Sequence, residues 1–339
     1  MSTPSSSSYV QWLNVSRITD FITFIMSTLI NGVLLNLIKT SSPKHFGNYV
    51  YLMMAFSINS LVFATIHAFI QPIISTEKYV LFVFTSTNYL EVPRIFMRGL
   101  LSIYGTSYSQ ALVFIAVQFV YRCFAISRRK YLHYFKGKFL GFWFGLVGIF
   151  GVNWGLCIFL IARETPQVDE VLRPVMTSSF NLNMTEVYYV AASYAVENEL
   201  GIRSLNWPTI FMVINFALIM GLSFSVILLC LYFIHHKMKG VTYSKVYEAV
   251  QKQLYRALLS QMIVPLILIY IPILIVMILP IFNVKNDAST SLTSILISIY
   301  PVLDPFAVIM IISVYRQGFF NMFRNKPVNN QVANLDMSL

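Results

Sequence analysis

The sequence predicts an all-α membrane protein, a bundle of seven transmembrane helices with its N-terminus outside and its C-terminus in the cytoplasm. Three observations carry that expectation. Hydrophobic residues make up 57% of the 339-residue chain against 11% charged ones, which leaves too little polar surface to cover a water-soluble globule of this size. Charge-free windows long enough to cross a bilayer recur along the chain. Basic residues are divided unevenly between the loops those windows define.

The windows are residues 21–38, 46–76, 99–121, 139–162, 204–234, 257–284 and a stretch opening at 288. A hydrocarbon core of about 30 Å needs about 20 apolar helical residues, and only the first window falls marginally short. The windows predict helices over about 18–38, 49–74, 99–126, 139–161, 209–234, 254–281 and 289–315. Together they form one domain, 18–316, between an outer tail, 1–17, and an inner tail, 317–339. The run YVLFVFTSTNYL at 79–90 is too short to cross and stays outside the count as a re-entrant or surface piece.

Orientation follows from the loops. With the N-terminus outside, sixteen of the 24 basic residues fall on the inner side and ten of the 13 acidic ones on the outer side. The net charge of +11 is then a property of the inner surface, suited to anionic membrane lipid and an acidic partner, and no sign of nucleic-acid binding. Two glycosylation sequons, at Asn14 and Asn183, are separated by four crossings and so share a side, the outer one in this arrangement. The first 14 residues carry no basic group and no small-residue cleavage site, so they do not read as a cleaved signal. Cys123, Cys157 and Cys230 all lie in or at the inner ends of helices, out of reach of a lumenal disulfide. The long outer loop at 162–208 must be ordered by other means.

An intramembrane aspartyl enzyme needs two deep carboxylates; Asp304 is deep, whereas Asp20 sits at the outer margin of helix one. The five histidines are scattered and suggest no metal centre, and nothing in the chain calls for a cofactor. Paired repeats and multiple buried ionisable groups, expected of an ion-coupled transporter, are not visible. Reception is the reading that remains, with a seven-helix ligand-gated channel or transporter as its alternative.

Four blocks narrow it: SPKHFGNYVYLMMAFSI at 42–58, AVQFVYRCFAI at 116–126, QKQLYRALLSQMIVPLILIYIPI at 251–273 and ISIYPVLDPFAVIMIISVYR at 297–316. Through these the chain resembles the nematode serpentine chemoreceptors of the Str and Srj classes along nearly its whole length. The resemblance implies a chemosensory, olfactory-type G-protein-coupled receptor in the plasma membrane, on the cilium of a sensory neuron. It implies a small-molecule odorant or water-soluble chemical as ligand and a heterotrimeric G protein as partner. It names no ligand.

Particular residues invite particular roles. A carboxylate in mid-bilayer costs roughly 2.5–3.5 kcal/mol on insertion scales, so Asp304 must face the bundle, either as a switch contact between helix seven and its neighbours or as a static hydrogen-bonded acid. Pro305 and Pro301 loosen the helix around it. Tyr121-Arg122 closes helix three where rhodopsin-like receptors carry Asp-Arg-Tyr, so Arg122 either meets the G protein or snorkels to lipid phosphate. Glu248, Lys252 and Arg256 form an i, i+4 ladder on a cytoplasmic extension of helix six, and Pro265, Pro272 and Pro280 offer it bends. After Arg316, QGFFNMFR reads as a short amphipathic helix on the inner leaflet. Candidate ligand groups in the outer halves of the helices are His67, Gln71, Tyr104, Ser107, Gln110, Asn215, Tyr270, Ser294 and Ser298, each of which could equally serve packing between helices.

Overall fold

A computed structural model describes residues 6–86, 92–127, 129–197, 203–240, 245–283 and 287–323. Among these, seven helical stretches are long and apolar enough to cross a membrane. Five are single helices: α1 (Ser6–Ser41), α2 (Tyr49–Ile70), α3 (Arg94–Ser127), α4 (Lys138–Ile161) and α6 (Trp207–Gly240). The sixth crossing is composite, running from α7 (Lys245–Pro265) through a π-helical turn (Leu266–Tyr270) and α8 (Ile271–Ile278) to a 3₁₀ turn (Leu279–Phe282). The seventh is α9 (Asp287–Ile311), followed by the short α10 (Ser313–Phe323). Between crossings lie α5 (Pro166–Ser178) and five strands, β1 (Ile73–Glu77), β2 (Val80–Ser86), β3 (Val187–Ser193), β4 (Ala195–Glu197) and β5 (Arg203–Leu205).

The burial pattern is that of a protein in lipid. Phe21, Leu29, Ile149, Leu160, Phe211, Leu218 and Leu222 point outward, while Asp20, Ser27, Asn31, Asn59, His67, Gln118, Arg122, Gln261 and Asp304 are buried inside the bundle. α3 is the axis, packed on α2, α4, α6 and α7. It meets α4 through glycines, one turn apart at Gly151 and Gly155. A Cβ on Gly155 would run into Thr106 Oγ1 and lie 3.0 Å from the Ser102 carbonyl, and one on Gly151 would overlap Gln110. Small residues let two backbones approach where lipid offers no hydrophobic drive to press them together.

The long loop after α4 is ordered without disulfides. β1, β2 and β3 form an antiparallel sheet in that order, with Ile73 opposite Phe84 and Val80 opposite Ser193. Side chains alternate along strands, and here both faces are buried. Val80, Phe82, Phe84, Tyr189 and Ala191 pack beneath α5 against Val168, Leu172, Val175 and Met176. Leu81, Val83, Val190 and Ala192 face the bundle. α5 is begun by Thr165, whose side chain accepts from Val168 N, with Pro166 at the first turn. It is tied to the sheet by Tyr189, whose hydroxyl donates to Asp169 Oδ1 at 2.6 Å; burial, reinforced by that carboxylate, pushes the phenol well above its ordinary range.

Three sequence expectations change in detail. The first helix begins at Ser6, so residues 6–17 continue α1 where an irregular tail was expected; no Gly or Pro occurs between residues 5 and 31 to stop it. The second helix ends at Ile70 instead of 74, because Gln71 turns left-handed at φ 45° and the chain enters β1. The run at 79–90 contributes β2 to the sheet, and residues 87–91 lie outside the described ones. Of the ladder on the sixth crossing, Lys252 and Arg256 are exposed on α7, and the side chain of Glu248 lies outside the described residues.

α9 contains Pro301 and Pro305. Pro305 has no N–H to offer the carbonyl four residues back, which is that of Pro301. That oxygen is instead met by two donors from α1, Ser27 Oγ at 3.1 Å and Asn31 Nδ2 at 3.0 Å. Replacing Asn31 by Ala should lower stability by about 1 kcal/mol in detergent unfolding. In a Pro305→Ala background, where the N–H is restored, the same substitution should cost measurably less, and a double-mutant cycle reads that difference.

Candidate ligand cavity and the buried polar layer

Beneath the sheet, α3, α4, α6, the sixth crossing and α9 enclose a cavity of about 150 Å³. Its roof is Ile74, Leu81, Val83, Val190 and Ala192 from the three strands. Its walls include Tyr104, Tyr108, Trp154, Phe216, Val276 and Ile297. Trp154 is stacked on Phe216 with centroids 3.8 Å apart and planes 4° from parallel, and tilts against Tyr108 at 5.4 Å. The cavity is therefore bounded by rigid rings and branched aliphatics, a surface that binds by shape and apolar burial.

Of the polar residues that the sequence offers as ligand groups, Tyr104 lines this cavity; the others stand elsewhere. His67 sits behind Tyr104, its Nδ1 2.9 Å from the Tyr104 hydroxyl and its Nε2 3.2 Å from Asp20 Oδ1. Gln71 closes α2 and borders a shallow pocket with Arg17. Ser107 is buried on α3, where its carbonyl accepts from Asn59 Nδ2, and Gln110 lies against Gly151. Asn215 is on α6 with its Oδ1 buried and without a partner among the described residues. Ser294 Oγ accepts from Ile74 N at 3.1 Å, so it fastens the roof to α9, and Ser298 bonds back to its own helix. Tyr270 lies one layer below the cavity, edge-on to Tyr108 at 5.3 Å. Tyr108, Trp154 and Phe216 are the wall residues that sequence reasoning passed over, since aromatic rings within apolar helices carry no signal that separates a lining from a core.

Below Tyr270 the polar groups gather. Asp304, 2% exposed, bonds to Gln261 of α7, and its Oδ1 has no partner among the described residues. Tyr270 and Tyr300 flank it. Farther from the sheet, Arg122 is also buried, its guanidinium 3.8 Å above the ring of Tyr49, with Nε and one terminal nitrogen unpartnered among the described residues. The Tyr49 hydroxyl donates to Gln118 Oε1 at 3.1 Å, and its ring stacks on Tyr121, whose hydroxyl donates to the Phe46 carbonyl. In this geometry the Arg122 guanidinium is turned into the bundle. Tyr315, wholly buried, meets Ser42 Oγ at 2.6 Å. Arg256 stays exposed on α7, and Gln253, one turn away, accepts from Ser313 at the start of α10. At the sheet end, Asn183 is exposed; the side chain of Asn14, the other sequon, lies outside the described residues.

Seven crossings around a roofed apolar cavity, with a layer of buried polar side chains beneath it, have the architecture of a seven-transmembrane receptor of the G-protein-coupled type. The chain matches the sequence model of the serpentine 7TM GPCR chemoreceptor family Str over residues 16–320, and it belongs to that family. It is 28% identical over 323 residues to "Serpentine receptor class r-10" of Caenorhabditis briggsae, covering 94% of this chain and 93% of that one. It is 24% identical over 323 residues to "G-protein coupled receptor str-33" of Caenorhabditis elegans, with 94% of each chain covered. To "Serpentine receptor class J-38" of C. elegans it is 23% identical over 321 residues, 90% of this chain and 92% of that one.

The Arg122–Tyr49 stack yields a direct test. Tyr49→Phe keeps the ring and loses the hydroxyl's bonds to Gln118 and Arg122, so it should cost about 1–2 kcal/mol. Tyr49→Leu also strips the guanidinium of its aromatic face and should cost about 2–3 kcal/mol, read by thermal unfolding of the purified protein.

Proposed function

We propose that this protein is a chemosensory receptor whose cavity takes a small, mainly apolar molecule from the outer side of the membrane and whose opposite end activates a heterotrimeric G protein. The observation that carries the reading is the size and lining of the cavity. A mainly apolar space of about 150 Å³ is on the scale that benzene-sized molecules fill. That is the scale of an odorant and far below that of a peptide. A wider hollow of about 450 Å³ shares Val213 with it and opens between α6, the β4–β5 hairpin and the 3₁₀ turn at Pro280, a route by which such a molecule would enter.

The orientation belongs to the same proposal. The basic residues gathered at the end away from the sheet, and the exposed Asn183 at the sheet end, support an outer sheet and an inner C-terminus. The membrane of a sensory cilium is where such a receptor would act.

Transmission is read from contact. Tyr108 on the cavity wall touches Tyr270, the last residue of the π turn, which lies next to Asp304. π turns lodge where a helix is asked to shift, and this one divides α7 from α8. A ligand that moves Tyr108 therefore bears on the hinge that positions α7, and with it the exposed Arg256 and the buried Arg122 layer as candidate G-protein contacts. We assign Asp304 and Pro305 the part of the switch and Tyr121 that of a fixed neighbour of Arg122.

Ala192→Phe, which fills the cavity from its roof, should lower ligand potency by at least about tenfold while surface expression and basal signalling persist. Ligand-evoked nucleotide exchange on a purified G protein, with no membrane current, should be seen in the wild type; a current in cells without G protein would sink the reading. Asp304→Asn should change basal or maximal exchange without changing expression.

A further inference from the structure

α6 is packed on α3 and α4, and it meets the sixth crossing where Phe224 stands edge-on to Tyr270 at 5.6 Å. Toward the sheet from that contact the two crossings part around the hollow of about 450 Å³. Ile210, Val213 and Ile214 line it from α6, and Pro280 and Ile281 from the 3₁₀ turn. Its depth in the membrane follows from its rim. Trp207, 69% exposed, opens α6, and the Arg203 guanidinium lies 5.3 Å from the centroid of the Tyr79 ring; amphipathic side chains of these kinds settle at the boundary between lipid and water. Ile210 and Ile214 come three and seven residues after Trp207, about 5–10 Å deeper at the rise of an α-helix. Ile214 and Ile281 are 52% and 59% exposed, so the hollow is open on the side that faces hydrocarbon.

The water side of the cavity is covered by two layers. The β1–β2–β3 sheet roofs it, and α5 lies over the sheet with the apolar side chains of both packed between them. The roof is fastened to the bundle by Ile74 N to Ser294 Oγ, by Ala191 N to the Ala162 carbonyl, and just beyond β3 by the Tyr194 hydroxyl to the Met277 carbonyl. Entry from water means parting these bonds between buried groups. Between the hollow and the cavity stands Val213, which lines both, a short side chain with one torsion and no hydrogen bond to give up.

We propose that the cavity is filled sideways, from the hydrocarbon of the sheet-side leaflet through the gap between α6 and the sixth crossing, so that the receptor reads small uncharged molecules by their concentration in lipid. The proposal rests on the reading of the cavity as the ligand site and adds where the ligand comes from and the class that this source selects. A molecule already dissolved in lipid has given up its water before it reaches the protein. A charged or strongly hydrated molecule of the same size is scarce in that phase.

The test follows exchange of fluorobenzene between its free and bound states by fluorine NMR, with the purified full-length receptor in lipid nanodiscs, so that on-rate and off-rate are read separately. Ile210→Trp fills the hollow at a residue that does not line the cavity; it should slow both rates by about tenfold and leave their ratio, the affinity, unchanged. Ile210→Ala, which widens the hollow, should quicken both. A second comparison needs no variant to fold. Fluoropyridine has nearly the shape of fluorobenzene but dissolves far less in lipid, and in the wild type its on-rate, referred to the aqueous concentration, should be lower in proportion. Hollow variants that exchange at wild-type rates overturn the proposal, as do equal on-rates for the two probes, and either result leaves the cavity as the ligand site. No saturable binding of fluorobenzene, with Ala192→Phe indistinguishable from the wild type, removes both the proposal and the cavity reading beneath it.

Discussion

A helix in lipid must finish its own hydrogen bonds, because no water stands by to do so. α9 breaks that rule at Pro305, and the carbonyl left over at Pro301 is completed by Ser27 and Asn31 of α1. Much else follows from this one contact. It fixes the height of α9 against α1, and so the depth of Asp304 and the face of the bundle to which it turns. It also explains how Pro305 can lie within a buried helix without leaving a carbonyl unmet. The sixth crossing meets the same constraint differently, by widening into a π turn after Pro265 and tightening into a 3₁₀ turn around Pro280. Near that second irregularity the Met277 carbonyl accepts from Tyr194 of the lid. The irregular points of the two crossings are thus held from outside them, and a hinge whose closure is supplied by a neighbour is one the neighbour can influence.

The lid shows how a sheet can be at home on a membrane bundle. Its outer face is covered by α5 and its inner face roofs the cavity, so β2, with the sequence VLFVFTS, has no polar side to show in its first five residues. Continuous apolar strands of that kind are expected only where both faces are buried. The roof is fastened to the helices at several points among the described residues: Ile74 N to Ser294 Oγ on α9, Ala191 N to the Ala162 carbonyl at the end of α4, and Arg94 of α3 to the Val187 carbonyl.

What could be read in the sequence divides along physical lines. Membrane helices announce themselves because length and apolarity are local properties, and all seven windows correspond to crossings. The prolines of the sixth and seventh crossings were legible for the same reason. β2 was not, since a charge-free run of twelve residues fits a re-entrant piece as well as a strand, and the partner that decides it, β3, lies more than a hundred residues away. Asp20, at the outer margin of the first crossing, carries no local sign of its partner, because His67 of α2 reaches it only in the fold. Polar residues on outer helix halves were easy to find and hard to assign, because helix packing, roof anchoring and ligand contact all draw on the same side chains. Tyr104 was distinguished from Ser107, Gln110 and Asn215 by nothing short of the folded geometry.

Energetics explain why the polar layers matter as much as the cavity. Filling it buries on the order of 200 Å² of a benzene-sized ligand, worth about 5 kcal/mol. Shifting a receptor from 1:99 to 99:1 requires about 5.5 kcal/mol of difference between its two states, and only the part of the burial that differs between them counts. Apolar contact alone therefore falls short, unless the two states lie close in energy at the start. In the proposed receptor that condition would fall to the buried layer beneath, where Asp304 Oδ1 and two nitrogens of Arg122 have no partner among the described residues, a cost that another arrangement would relieve.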